Sequence, residues 1–336
     1  MTKSVAPREA TVIRARWHFD DLRLITRIKW ALSFQGQMVD KFKRVALIGR
    51  SGNQQATETI ARLIEYLREE GLEVWIEDDI ADLGEFSGLP HCALELMGQK
   101  VELAIVVGGD GSLLGASRAL ARFDTPVLGI NRGTLGFLTD IRPSEAIEKV
   151  GQALLGQFTE EKRRLNSVEV IRDEQVIARA TALNDVVLHK GQSARMLGFD
   201  LCIDDQFVYS SRSDGLIVST PTGSTAYALS AGGPIMHPKL DALVLVPMFP
   251  HTLNARPIVV SAKCVVSVTI TEKHQALPQV SCDGQTHISL LLGDRIVIRQ
   301  SEEQLTLLHP PGYSYYEVCR SKLQWGGRIE PQQDDE

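Results

Sequence analysis

The carboxylate best placed for chemistry in this sequence lies in a glycine-rich turn, Gly108-Gly109-Asp110-Gly111-Ser112. The turn directly follows an apolar run at 103–107 and precedes a helical pattern. Three glycines allow positive φ and a close approach of backbone amides to phosphate oxygens. A carboxylate repels phosphate, so Asp110 is better suited to accept a hydroxyl proton or to face a phosphate-bound metal ion. The turn therefore favours phosphoryl transfer. The purely structural alternative is that Asp110 only caps the helix that follows.

Two commoner phosphate-binding motifs differ from this turn. A P-loop ends in Gly-Lys, and the sequence contains no Gly-Lys dipeptide, which excludes a P-loop kinase. Gly109, Gly111 and Gly115 come near a Rossmann fingerprint, but one residue too many stands before the last glycine. Asn131 occupies the place of the ribose-binding acid. A dinucleotide-dependent dehydrogenase is therefore a weak alternative.

The elements that must position Asp110 follow from hydrophobic periodicity. Apolar runs at 45–49, 72–76, 103–107 and 127–130 alternate with helical spacing, which predicts a parallel sheet. From about 160 to 305 short apolar strands predominate, and Asp204-Asp205 is typical of a hairpin turn. The predicted fold is an α/β N-terminal domain with a Rossmann-like parallel sheet, followed by a mostly antiparallel β domain.

The same patterns predict four segments along the chain. They are an N-terminal extension at 1–43, an α/β domain at 44–145, a β-rich domain at 146–305, and a tail at 306–336 that returns to the first domain. Within the extension, Leu22 to Ile28 has the pattern of an amphipathic helix.

Composition narrows the class of protein. The chain has 336 residues, 43% of them hydrophobic, and a formal net charge of −6, which argues against a general nucleic-acid-binding protein. No stretch approaches the roughly 20 apolar residues of a membrane span, and the N-terminus lacks a signal-peptide pattern. Five widely spaced cysteines indicate free thiols in a reducing compartment, so we expect a cytoplasmic protein without a membrane partner.

Several longer motifs, together with the glycine-rich turn, resemble the bacterial NAD kinase family. They are NRGTLGFLTD at 131–140, LNDVV at 183–187, SRSDG at 211–215 and STPTGSTAY at 219–227. The resemblance runs from about Val45 to Tyr316.

The resemblance implies transfer of the ATP γ-phosphate to the 2′-hydroxyl of the adenosine ribose of NAD, which gives NADP. It implies NAD and ATP as substrates, a divalent cation (Mg²⁺ or Mn²⁺) that arrives with ATP, and a homodimer or homotetramer. No dedicated metal ligands are expected, because the histidines lack metal-ligand spacing with cysteine or with one another.

The resemblance also assigns site residues. Asp110 is the implied proton acceptor, Asn184 and Asp185 would hydrogen-bond the dinucleotide, and Tyr227 would offer an aromatic face. Many relatives have Glu in place of Asp185. The full implied NAD-binding set is Asp110, Gly111, Asn184, Asp185, Arg195, Arg212, Asp214, Thr225, Ala226, Tyr227, Ala228, Leu229, Ser230 and Gln285.

Other interpretations of these residues are open. A lipid or sugar-phosphate kinase could share the Gly-Gly-Asp-Gly turn, although the TGSTAY segment favours the NAD branch. A dinucleotide-binding regulatory protein would need the pocket but not Asp110. Taken alone, Arg212 and Asp214 would most often form a solvated ion pair, which contributes about 0–1 kcal/mol.

Overall fold

The computed structural model describes residues 42–50, 54–81, 86, 88–132, 136–191, 195–252, 254–272 and 278–325. The predicted amphipathic helix at 22–28 lies outside these ranges, as does most of the predicted N-terminal extension.

The first half of the described chain forms a parallel sheet flanked by helices. Its strands are β1 (Arg44–Gly49), β2 (Glu73–Glu77), β3 (His91–Cys92), β4 (Leu103–Val107) and β5 (Val127–Ile130). Its helices are α1 (Gln54–Glu69), α2 (Asp78–Ala81), α3 (Leu94–Met97), α4 (Asp110–Leu120) and α5 (Ala146–Leu154). The strands lie in the order β5-β4-β1-β2-β3, all parallel. The parallel α/β prediction is confirmed.

The second half is built from antiparallel strands. They are β6 (Thr159–Arg172), β7 (Gln175–Ala182), β8 (Asp185–His189), β9 (Leu197–Ile203), β10 (Gln206–Ser213), β11 (Gly215–Ser219), β12 (Ala242–Met248), β13 (Ile258–Ser261), β14 (Val266–Ile270), β15 (Gln279–Cys282), β16 (Thr286–Ser289) and β17 (Arg295–His309). Two short helices complete this half, α6 (Tyr227–Ser230) and α7 (Tyr315–Leu323). Six strands form one sheet in the order β13-β12-β11-β8-β15-β16. Asp204 and Asp205, with φ of 49° and 61°, form the predicted turn between β9 and β10.

Strand β17 joins the two kinds of sheet. It pairs antiparallel with β14 and β6, and Leu307 near its C-terminus pairs parallel with Val127 of β5. A single sheet of 11 strands therefore runs through both halves. The strand also crosses position 305, where the sequence suggests a boundary, and the four-segment division remains a prediction.

Helix α4 is fixed by apolar packing on the parallel sheet. Leu113, Ala116 and Leu120 are fully buried, at the spacing that puts side chains on one helical face. They belong to a cluster that includes Ala104 and Val106 of β4. Full burial of a Leu stabilises the fold by about 1.5–3 kcal/mol. This packing holds the first residue of the helix, Asp110, at the carboxyl end of β4.

Three further observations bear on the sequence predictions. All five cysteines are free thiols, three of them buried. No helix in the described ranges is long and apolar enough to cross a membrane. Beyond β17, the Tyr315 hydroxyl of α7 donates to the Met236 carbonyl, and the Tyr315 ring lies edge-on to His237 at 5.0 Å.

Candidate functional site

The glycine-rich turn connects β4 to α4 without any positive φ. Gly108, Gly109 and Gly111 are absent from the left-handed region, and Gly109 has φ of −92° as the helix N-cap, so the expectation of positive φ is wrong. At Gly108 the reason for glycine is space, because a Cβ there would lie 2.6 Å from Oγ of Ser112. The turn is tight because its residues are small, and the backbone conformation is one that other residues can adopt.

The Asp110 carboxylate is hydrogen-bonded to a neighbouring loop. Oδ2 accepts from Phe137 N at 2.9 Å, and Oδ1 accepts from Leu138 N at 3.1 Å and from Thr139 N at 3.3 Å. The Thr139 hydroxyl donates to Oδ1 at 3.2 Å. Helix α4 has no side-chain cap. Asp110 therefore does not cap the helix, contrary to the purely structural alternative. Instead, four hydrogen-bond donors fix the orientation of its carboxylate.

Gly136 lets this loop close over Asp110. A Cβ at Gly136 would overlap the Asp110 carboxylate and would lie 2.6 Å from Oγ1 of Thr139. No side chain larger than hydrogen fits there without moving Asp110. The position of the Asp110 carboxylate therefore requires glycine at residue 136.

A second wall of the site is formed by residues 183–185, which connect β7 to β8 and include the first residue of β8. The Asp283 carboxylate, in the turn between β15 and β16, accepts hydrogen bonds from three successive backbone amides there. Oδ2 accepts from Leu183 N at 3.0 Å, and Oδ1 accepts from Asn184 N at 2.8 Å and from Asp185 N at 3.3 Å. This buried carboxylate sets the conformation of the 183–185 segment.

Gln285 joins that wall to the glycine-rich turn. Its Nε2 donates to the Gly111 carbonyl at 2.8 Å, and its Oε1 accepts from Nη2 of Arg118 at 2.6 Å. Nη1 of the same Arg118 lies 2.7 Å from Oδ2 of Asp283. The structure thus brings Asp110, Gly111, Gln285 and the 183–185 segment into one continuous site.

Two polar side chains of this wall have capacity for a ligand. Oδ1 of Asn184 is buried and, in the described part of the chain, has no hydrogen-bond partner. Asp185 is 5% exposed, and burial, reinforced by the negative charge of Asp283, raises its pKa to about 7. Near neutral pH this carboxyl can therefore either donate or accept a hydrogen bond, and both suit a sugar hydroxyl.

The segment that leads into α6 packs against Asn184. Thr220 N and Oγ of Ser219 both donate to the Asn184 carbonyl, at 2.9 Å and 3.1 Å. A Cβ at Gly223 would overlap that same carbonyl. Tyr227, the first residue of α6, is 47% exposed and offers an aromatic ring to solvent. Of the remaining residues of the predicted binding segment, Ala228 is buried, Thr225, Ala226 and Leu229 are half-buried, and Ser230 is exposed.

Asp214 is not brought to this wall. Strand β11 pairs with β8 so that Ser219 lies opposite Asp185, which puts Asp214 at the other end of the strand, roughly 16 Å away at about 3.3 Å per residue. Arg195 is exposed and lies two residues before β9.

Arg212 and Asp214 do not pair with each other either. Nε of Arg212 donates to Glu272 at 2.6 Å, whereas Asp214 accepts from Nζ of Lys190 at 2.7 Å. The prediction that Arg212 and Asp214 form a solvated ion pair with each other is therefore wrong.

Sequence reasoning missed the residues that align the two walls. Asp283-Gly284 is typical of a hairpin turn, and that pattern does not indicate that the Asp carboxylate organises another segment. Gly136 and Thr139 lie within a motif of the resemblance without an assigned role. No sequence signal marks Arg118, because its partner is 165 positions away.

The described residues contain no group of three or more His, Cys, Asp or Glu that could hold a metal ion. Asp110, the acid of the glycine-rich turn, is engaged with the 137–139 amides.

Comparison with known proteins gives the family. Residues 45–158 match the model of the ATP-NAD kinase N-terminal domain, and residues 183–309 match that of the ATP-NAD kinase C-terminal domain. The chain is 55% identical over 291 residues to the NAD kinase of Pseudomonas putida strain W619, which covers 87% of this chain and 98% of that protein. It is 53% identical over 291 residues to the NAD kinase of Pseudomonas aeruginosa strain LESB58, covering 87% of this chain and 99% of that one.

Solved structures agree in fold. A yeast NADH kinase complexed with NADH aligns with a TM-score of 0.81 and 22% identity, over 88% of this chain and 91% of that one. An NAD kinase from Archaeoglobus fulgidus in complex with ATP aligns with a TM-score of 0.64 and 26% identity, over 84% of this chain and 97% of that one. With both domain models matched in order and more than half of the aligned residues identical to those of a bacterial relative, the chain belongs to the ATP-NAD kinase family.

Proposed function

We propose that this chain transfers the γ-phosphate of ATP to the 2′-hydroxyl of the adenosine ribose of NAD, and that Asp110 accepts the hydroxyl proton. The bond between the ribose oxygen and the γ-phosphorus forms, the bond from that phosphorus to the bridging oxygen of ADP breaks, and NADP and ADP are released. The observation that carries the proposal is the Asp110 carboxylate, held by four donors at the start of α4 on the glycine-rich turn.

The held carboxylate suits a general base. The 137–139 segment already holds the Asp110 carboxylate in one orientation before the substrate binds. Proton transfer is efficient when the base is oriented in advance in this way. General-base assistance typically contributes 10²–10⁴-fold, so alignment of the substrates and charge neutralisation must supply the rest.

The NAD adenosine is proposed to bind between the glycine-rich turn and the 183–185 wall. The unpaired Oδ1 of Asn184 and the buried carboxyl of Asp185 are available to ribose hydroxyls. Gly111 is exposed and offers no side chain to obstruct the ligand, and the exposed ring of Tyr227 can stack on the adenine. Thr225, Ala226, Ala228, Leu229, Ser230 and Gln285 are proposed to complete this surface.

Arg195, Arg212 and Asp214 are proposed to contact the dinucleotide further along. Each carries a charge, and Arg212 is 67% exposed even with Glu272 beside it, so its guanidinium can turn to a ligand phosphate or carbonyl. Asp214 precedes the end of β11 that is remote from Ser219, so a ligand that contacts both Asp214 and the 183–185 wall must be extended.

ATP is proposed to arrive with Mg²⁺ or Mn²⁺, which neutralises the transferring phosphoryl group when bound. The residues of this chain then align the ribose hydroxyl and receive its proton. Excess chelator is expected to abolish NADP formation, and full activity in chelator would contradict the requirement.

We further propose a cytoplasmic homo-oligomer, either a dimer or a tetramer. Five free thiols suit a reducing compartment. Ile258 and Val259 on the edge strand β13, and Phe249 after β12, are exposed apolar side chains, and Phe249 is 77% exposed. Such a patch on a sheet edge favours association of copies. Light scattering on the purified chain measures the state directly.

The decisive experiment measures NADP formed from NAD and Mg-ATP by the unmodified chain and by Asp110→Asn, with NAD binding measured separately. We expect Asp110→Asn to bind NAD and to lose at least about two orders of magnitude in kcat. Asp78→Asn is the matched control, since Asp78 also begins a helix after a parallel strand but is exposed and bonds to His91. Its activity should stay within about twofold of the unmodified chain. An unmodified chain that binds NAD without forming NADP would be a regulatory protein.

A further inference from the structure

A buried row of four charges lies behind the site, outside the residues assigned to the ligand. Oδ2 of Asp140 is 2.7 Å from Nδ1 of His309, and Nε2 of the same ring is 3.0 Å from Oε2 of Glu161. Glu161 in turn pairs with Nη2 of Arg163 at 2.8 Å. The side chains of His309 and Arg163 are 2% and 3% exposed, so this row is shielded from water.

The geometry defines the protonation state of His309. Both ring nitrogens face carboxylate oxygens, which only accept when ionised, so both nitrogens must donate and the ring is an imidazolium. Burial alone would lower the pKa of His309, but the hydrogen bonds to Asp140 and Glu161 raise it overall. Burial likewise opposes ionisation of Glu161, yet His309 and Arg163 lower its pKa to about 2. The charges alternate along the row and compensate one another.

Tyr313 closes the row from the remaining side. Its ring stacks on the His309 ring with centroids 3.7 Å apart and planes 8° from parallel. An aromatic face over an imidazolium is favourable and excludes water. The groups that face His309 are therefore Asp140, Glu161 and Tyr313, with Arg163 behind Glu161.

The row ends at two parts of the proposed site. Asp140 directly follows Phe137, Leu138 and Thr139, whose amides hold the Asp110 carboxylate. At the other end, Nη1 of Arg163 donates to Oγ1 of Thr222 at 3.3 Å. His309 thus sits between the loop that orients the proposed base and the segment that leads to α6.

We propose that His309 is a positioning residue for phosphoryl transfer: its imidazolium holds Asp140, and Asp140, the residue after Thr139, anchors the 137–139 segment whose amides orient the Asp110 carboxylate. The inference rests on the proposed role of Asp110 as proton acceptor. The His309 side chain is 2% exposed and does not reach the ligand surface, so its effect on Asp110 passes through Asp140. A neutral residue in its place leaves the Asp140 carboxylate buried without its counter-charge, and the loop must shift to find other donors.

The test is a double-mutant cycle of His309→Gln and Asp110→Asn, read out as NADP formation. We expect His309→Gln to lower kcat by about 10–100-fold, the size of loss that a misplacement of about 1 Å produces, with the KM for NAD little changed. In the Asp110→Asn background, where the oriented base is already absent, His309→Gln should cause no further fall in the residual rate. His91→Gln is the control, because His91 pairs with Asp78 at 2.8 Å on the surface. That variant should keep the kcat of the unmodified chain.

Distinct outcomes separate the two proposals. An unmodified chain without NADP formation refutes the proposed function, whatever His309 does. A folded His309→Gln variant with unchanged kcat, or with the same fold-loss in both backgrounds, overturns the positioning role.

If His309→Gln does not fold, Asp140→Asn takes its place in the same cycle. Nitrogen NMR of the ring in the unmodified chain gives a reading that needs no variant. We expect the pKa of His309 to lie above that of an ordinary imidazole, because both ring nitrogens face carboxylates. A pKa at or below the ordinary value overturns the proposal.

Discussion

Arg118 and Asp283 form an ion pair that ties helix α4 to the turn between β15 and β16, with Nη1 and Oδ2 2.7 Å apart. The Asp283 carboxylate is fully buried, and it also accepts hydrogen bonds from the backbone amides of Leu183 and Asn184. One buried carboxylate therefore sets the spacing between the helix that carries Asp110 and the wall proposed to bind NAD.

Removing one partner of this pair should be costly. Arg118→Met leaves the Asp283 charge buried without its cation, and we expect the free energy of unfolding to fall by about 3 kcal/mol. Denaturant unfolding followed by circular dichroism measures the change. Arg179→Met is the matched control, since Arg179 pairs with Glu169 at 2.9 Å but is 72% exposed. An exposed pair contributes about 0.2–1 kcal/mol, so equal losses in the two variants would contradict the role given to burial.

Gly136→Ala should displace the proposed base. The new methyl group would overlap the Asp110 carboxylate, so we expect kcat for NADP formation to fall by about 10²-fold while the folded structure is retained. Gly109→Ala is the comparison, because a Cβ there meets only the Arg132 guanidinium, at 3.7 Å. Its loss should be much smaller. A Gly136→Ala enzyme with normal kcat would show that the 137–139 amides do not set the position of Asp110.

Asp185 should make stability fall as pH rises. Its pKa is raised by burial and by Asp283 from 3.8 to about 7, so ionisation is disfavoured in the folded chain. Stability is therefore lost between about pH 4 and pH 7, and Asp185→Asn should remove the loss. At about pH 8 the free energy of unfolding of Asp185→Asn should exceed that of the unmodified chain by on the order of 1–4 kcal/mol. This difference should shrink as the pH is lowered.

Denaturant unfolding of both chains across this pH range checks the prediction for Asp185. Asp173→Asn, in the turn between β6 and β7, is the control and should change stability little at any pH. A gain of the same size at acid and alkaline pH would contradict the titration of Asp185.

Tyr227 should contribute to NAD affinity and little to stability. Its ring is 47% exposed, and stacking of a base on an aromatic ring is worth about 1–3 kcal/mol, or roughly 5–150-fold in affinity. We expect Tyr227→Ala to raise the dissociation constant of NAD by that factor, measured by calorimetry, and Tyr227→Phe to retain affinity. Equal affinity of the Ala and Phe variants would exclude the stack.

Local patterns in the sequence predicted the parallel half of the fold well. The four apolar runs became β1, β2, β4 and β5, and the helical spacing between the first two became α1. These signals depend on neighbours in sequence, which is why periodicity reveals them.

The alignment of the site depends on long-range contacts and could not be predicted in this way. Asp110 meets Leu138 across 28 positions, and Arg118 meets Asp283 across 165. Asp140, His309 and Glu161 come together only when β6 and β17 pair. The family resemblance identified Asp110, Asn184 and Gln285. Only the structure reveals that the Asp283 carboxylate and the Arg118 guanidinium connect the segments that carry them.

The 15 residues of β17 also constrain how the chain can fold during synthesis. The far edge of β5 meets Ile141 at Ile130, but its pairing at Val127 requires Leu307, which leaves the ribosome 180 positions later. Until then the edge of the parallel sheet is open at Val127, and open edges recruit other chains. A truncated chain that ends before β17 should therefore aggregate, and the nascent chain must keep β5 protected until almost all of the sequence has been translated.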